Sequence, residues 1–145
     1  MRVMVIIKAD KDTEAGVMPT EEQLAAMGRY NEELVNAGIM LTGDGLHPTS
    51  RGVRVGFSGD KRTVIPGPFK MTGDVMAGFW MWNVKSMDEA VEWLKRCPSP
   101  LNSDTEVEIR QVFSAEDFGE AFTPELQEQE ERLRAKLEAQ AAGQA

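Results

Sequence analysis

Gly78-Phe79-Trp80-Met81-Trp82-Asn83-Val84 is the most apolar run of the chain and holds two of its three tryptophans. Read as a strand, it places Phe79, Met81 and Asn83 on one face and Trp80, Trp82 and Val84 on the other. Both faces are apolar, and such a strand has to be covered on both sides. The helices of a small domain cover one face. The second face needs a further layer, and that demand organises the reading of the segments around it.

Working outward, Ser86-Met87-Asp88-Glu89 reads as a capping box, and Met87, Ala90, Val91 and Leu94 give a helical stripe that Cys97-Pro98 ends. Glu106–Phe113 alternates Val107, Ile109 and Phe113 with charged residues and reads as a half-exposed strand. On the N-terminal side, residues 2–8 form a strand with Val3, Val5 and Ile7 on one side. Ala9–Met18 is polar and reads as a loop. Thr20 with Gln23 is a second capping box, opening a helix over 20–37 that Gly38 stops. Ile39–Thr42 is a short strand, and Gly43–Ser50 is a turn-rich segment. Val53, Val55 and Phe57, a Gly59-centred turn and Arg62–Ile65 make a β-hairpin. Pro66-Gly67-Pro68-Phe69 breaks away as a loop. Thr123-Pro124 starts a terminal helix with a thin stripe of Leu126, Leu133 and Leu137.

The order is β-α-β, a β-hairpin insertion, β-α-β and an extra C-terminal helix. Two such halves make a ferredoxin-like α+β sandwich, here residues 1–118, with a helical extension over 119–145. Helices on one face leave the other bare, and its apolar area exceeds what monomers expose. The simplest cover is a second copy of the sheet, a homodimer. Trp80 is taken to lie on that pairing face.

The residues that carry a family resemblance run in order through this frame. They are Asn31-Glu32-Glu33-Leu34, Ala37-Gly38, Gly43-Asp44-Gly45-Leu46-His47-Pro48, Gly67-Pro68-Phe69, Ala77-Gly78-Phe79-Trp80, Glu89-Ala90, Trp93, Cys97-Pro98 and Glu106-Val107-Glu108-Ile109-Arg110. Over roughly residues 1–118 the chain resembles the YCII-related proteins that carry a D-G-P-F motif. The resemblance implies a dimeric α+β barrel. In some relatives it implies small-molecule lyase or dehalogenating chemistry on a His–Asp pair. The chain departs from the motif at Pro66, where the family has Asp, at Met71, where an acidic residue follows, and at Gly73, where a Lys is usual.

His47 is the only histidine, with Asp44 three residues before it. A carboxylate near an imidazole makes a usable acid or base near neutral pH, so this pair is the catalytic candidate. The bland alternative is a surface turn with Asp44 on backbone amides. Trp80, Trp82 and Phe69 are candidates to wall a pocket for a flat ligand, or else plain core. Tyr30, Lys8 and Arg110 are candidate polar contacts, or else solvated and paired groups. One histidine with scattered carboxylates is not a metal set, and no cofactor fingerprint is present.

The net charge of -8 disfavours nucleic acid as a partner. The single cysteine, Cys97, excludes an internal disulfide and fits a reducing compartment. No apolar run suits a signal peptide or a membrane span, so a cytoplasmic protein is expected. Two functions fit these residues. One is a cofactor-free small-molecule enzyme of the lyase or isomerase kind. The other is a non-catalytic dimeric module for a ligand or regulatory partner, to which the terminal helix adds a partner-facing or dimer-clasping element.

Overall fold

The computed structural model describes residues 1–143. The chain divides into two compact units, Met1–Val112 and the segment from Phe113 onward. The first contains β1 (Arg2–Lys8), α1 (Lys11–Glu14), α2 (Glu21–Asn36), β2 (Met40–Gly45), β3 (Val53–Ser58), β4 (Lys61–Pro66), β5 (Met76–Asn83), α3 (Met87–Lys95) and β6 (Val107–Gln111). A 3₁₀ turn at Thr49–Arg51 links β2 to β3. The second unit holds a 3₁₀ segment, Ala115–Ala121, and α4 (Pro124–Gly143).

The main sheet has the order β2-β5-β1-β6 with every neighbouring pair antiparallel. This is the ferredoxin-like arrangement of two split βαβ halves. The inserted hairpin, β3 and β4, forms a separate two-stranded sheet. Thr20 and Gln23 cap α2 reciprocally, as their spacing requires. At α3 the Ser86 hydroxyl accepts from the Glu89 N–H, but the Glu89 carboxylate accepts from Lys85, one residue before the cap.

The register shows which face the helices cover. Val3 lies opposite Trp82 and Val5 opposite Trp80. These four residues pack with Tyr30, Leu34 and Ala90 of the helices in one buried cluster. Ile7, Met27, Trp93, Leu94, Ile109 and Val107 close its edges. Burying a side chain of this size contributes about 1.5–3 kcal/mol. Trp80 therefore lies under the helices, not on a pairing face. The open face carries Phe79 and Met81, opposite Ile6 and Met4.

Two segments differ from their sequence reading. Ala9–Met18 contains α1, one turn closed by reciprocal bonds between Asp10 and Thr13. The second strand runs on through Gly43, Asp44 and Gly45, which pair with Trp80, Phe79 and Gly78 of β5. Asp44 is therefore a strand residue on the open face. Among the described residues, no helix is long and apolar enough to cross a membrane.

Cys97 is half-buried at the end of α3, and burial pushes its thiol from an ordinary 9.0 up to about 11. The folded chain thus keeps this proton to higher pH than the unfolded chain. Its contribution to stability is full below the ordinary thiol value and is lost as pH rises toward about 11. Urea unfolding is expected to show stability falling across that window, with a shallower fall in Cys97→Ala.

Candidate functional site

A cleft of ≈ 760 Å³ opens between the first turns of α2, the loop before it, the end of β2, the start of β5 and the loop after α3. Its apolar lining includes Met18, Leu24, Met27, Leu46, Phe79 and Trp80. Its polar lining includes Asn31, Asp44 and His47. An apolar hollow with a few placed polar groups is the usual form of a small-molecule site.

Trp80 is set in the wall by three neighbours. Its indole N–H donates to Asn31 Oδ1 at 3.0 Å. Tyr30 meets it edge-on, with centroids 5.9 Å apart and planes at 74°. Gly43 lies opposite it in β2, and a β-carbon there would collide with the indole Cδ1. The same tryptophan therefore serves the core on one side and the cleft on the other.

His47 follows β2 and is exposed at the cleft. Its ring partner is Arg51, one 3₁₀ turn on, whose Nη1 stands 3.1 Å from Nε2 and 3.4 Å from Nδ1. Standing near both ring nitrogens, the guanidinium lies against the imidazole rather than on one nitrogen. Asp44 borders the same cleft from a strand position on the open face of the sheet, and among the described residues it shares no hydrogen bond with His47.

Three loops converge beside this histidine. Glu14, at the end of α1, accepts from the Thr49 N–H at 3.0 Å and from the Thr49 hydroxyl at 2.6 Å. The Thr49 hydroxyl oxygen in turn accepts from the Phe69 N–H at 3.0 Å. Gly67 fits because a β-carbon there would run into the Thr49 carbonyl. Across the cleft, Ser103 donates to Asp10 at 2.8 Å and Gln23 donates to Asn102. The Thr13 backbone N–H first, then the Ser103 hydroxyl, hold the Asp10 carboxyl below its ordinary value. Sequence reasoning missed Glu14, Asp10 and Asn31, whose partners lie far along the chain; only the Asp10-to-Thr13 spacing was a legible signal.

The remaining candidates are spent elsewhere. Trp82 is fully buried in the core, and among the described residues its Nε1 has no hydrogen-bond partner. Tyr30 donates from its hydroxyl to the Trp93 carbonyl at 2.7 Å, and burial raises its phenol above the ordinary value. Phe69 lies outside the cleft with the Arg54 guanidinium 3.9 Å from its ring centroid. Lys8 borders a separate groove of ≈ 460 Å³. Its Nζ is 3.5 Å from Glu108 and 3.7 Å from Asp74, while Arg110 Nε is 3.8 Å from Glu108. Among the described residues, no three His, Cys, Asp or Glu side chains are placed to hold a metal ion.

Residues 1–116 match the family model described as YCII-related domain. No curated protein matches the chain.

Because residue 43 faces the indole without a side chain, Gly43→Ala is expected to destabilise the fold by about 1–3 kcal/mol through overpacking. The same change is expected to shift the Trp80 environment. Denaturant titration followed by tryptophan fluorescence measures both effects, and an unchanged midpoint would count against this packing.

Proposed function

The chain belongs to the YCII-related domain family, and from that premise we propose a cofactor-free small-molecule enzyme of the lyase or isomerase kind, working as a homodimer. The cleft is its binding site, and His47 with Asp44 supplies the acid–base groups. One observation carries this reading: the only histidine and a neighbouring carboxylate line the same largely apolar cleft. Lyase and isomerase chemistry takes a proton from one atom and returns one to another. An imidazole is the side chain whose ordinary pKa suits both steps near neutral pH. Apolar walls exclude water from the substrate, which strengthens charge interactions at the reacting atoms. Trp80 in the wall favours a flat substrate.

A second reading is a non-catalytic ligand-binding module. It draws on the His47–Arg51 contact, which sets a guanidinium against the imidazole, while Asp44 makes no direct bond to the ring. A ligand screen by thermal shift comes first, because a specific binder stabilises the fold by mass action. With a binder in hand, His47→Gln is expected to cut turnover by about 10²–10⁴-fold, the usual share of one acid–base group. Its effect on stability is expected to be about 0.5 kcal/mol or less, as for an exposed loop position. Retained binding with no turnover by the unaltered protein would favour the module.

The homodimer reading rests on the open sheet face, where Met4, Ile6, Phe79 and Met81 cluster half-buried. Met81→Lys would set a charge against that face, which is costly to bury. Sedimentation is expected to show a dimer for the unaltered chain and a monomer for this variant. A compact monomer at micromolar concentration without the substitution would overturn the pairing.

A further inference from the structure

Asn31 is half-buried on α2 and lines the cleft. An indole N–H only donates, so the bond from Trp80 fixes which end of the carboxamide meets the ring. That end is Oδ1, which accepts at 3.0 Å. The Nδ2 end keeps its donor protons and, among the described residues, has no acceptor. The geometry is held from both sides. Trp80 is set by the space at Gly43 and by the edge of Tyr30. Tyr30, the residue before Asn31, is anchored through its hydroxyl on the Trp93 carbonyl. A donor carried on a helix and locked by packed neighbours is a preorganised contact.

The other polar groups of the lining differ. The Gln23 amide donates to Asn102, the Thr13 hydroxyl to the Asp10 carbonyl and the Ser99 hydroxyl to the Leu101 carbonyl. Asn102 and His47 are exposed. Asn31 is thus an oriented, half-buried donor beside an apolar wall, the kind of group that fixes a ligand's orientation. Charge narrows the acceptor it would meet. The lining includes Asp10, Asp12 and Glu22, Asp44 borders it, and among the described residues no lysine or arginine lines it. Arg51 stands against the imidazole, outside that lining. An anion entering here would lose water among like charges, which is costly.

We propose that the cleft takes a neutral, flat molecule bearing a carbonyl, whose oxygen accepts from Asn31 Nδ2. Asn31 is then the residue that selects the ligand by its chemistry. This choice of ligand rests on the cleft being the small-molecule site, and it adds the substrate class. A carbonyl also acidifies the C–H bond beside it, and that is the kind of proton lyase and isomerase chemistry removes.

The test uses the full chain labelled with nitrogen-15, with the Asn31 side-chain amide and the Trp80 indole N–H assigned by NMR. The probes are acetophenone and isopropenylbenzene, which has the same shape with a methylene in place of the oxygen. Each is titrated up to its solubility limit. Both are expected to shift the Trp80 signal, and acetophenone alone is expected to move an Asn31 amide proton downfield. A Trp80 response with equal Asn31 shifts from both probes, or none from either, would overturn the donor role and leave the cleft standing as a site. No Trp80 response to either probe would overturn the cleft reading and this proposal with it. Benzoate is expected to bind at least about tenfold more weakly than acetophenone, and tighter binding of benzoate would overturn the preference for a neutral ligand. Asn31→Asp keeps an oxygen to accept from the indole and removes the amide protons. In that variant the preference for acetophenone over isopropenylbenzene, as a ratio of dissociation constants, is expected to fall by about fivefold, the scale of one hydrogen bond. An unchanged ratio would also overturn the proposal.

Discussion

The indole of Trp80 lies where it does because residue 43 has no side chain. That single vacancy in β2 lets the ring lie against the neighbouring strand. Asn31 then accepts its N–H, and Tyr30 meets its edge. Val5 packs opposite it from β1. Remove the space, and the ring must turn away from all of these partners together. The sheet–helix interface and the wall of the cleft share this residue, so the packing of the core and the shape of the cleft are not separable in this chain.

Much of the fold was legible because it rests on short-range chemistry. Short apolar runs identified β1 and β5, alternation identified β6, and Thr20 with Gln23 marked the start of α2. The hairpin followed from its own alternation and glycine turn. The part that was hidden depends on contacts between distant residues. Either face of β5 is apolar enough to be the inner one, and only the fit of Val3 and Val5 against Trp82 and Trp80 decides between them. The Gly43-Asp44-Gly45 stretch reads as a turn because glycine is a poor strand former. Pairing with β5 overrides that preference. α1 escaped notice because its box is Asp10 with Thr13, the reverse of the more familiar hydroxyl-to-carboxylate order.

The candidate site was legible in its residue types and less so in its pairings. His47 and Asp44 do share a cleft wall. The nearer partner of the imidazole is Arg51, which a 3₁₀ turn brings back over the ring. Lys8 and Arg110 sit near Glu108, and Tyr30 has the Trp93 carbonyl, so polar groups that seemed available for a ligand have partners within the chain. Such pairing is the ordinary fate of a charged or hydroxyl side chain near a sheet. Exposure and partners, not residue type, separate a ligand contact from a structural one.

The Glu14 carboxylate binds both polar groups of Thr49, and Thr49 in turn holds Phe69. Three segments far apart in sequence are thus fastened at one point beside His47. Loops usually drift in length with little consequence, because each is free of the others. Here an inserted or deleted residue in any one of the three would displace the common knot and carry the histidine with it. A change in one of these loops has to be matched in the others to keep the knot, whereas the opposite rim of the cleft, around Pro98–Asn102, is not tied to it.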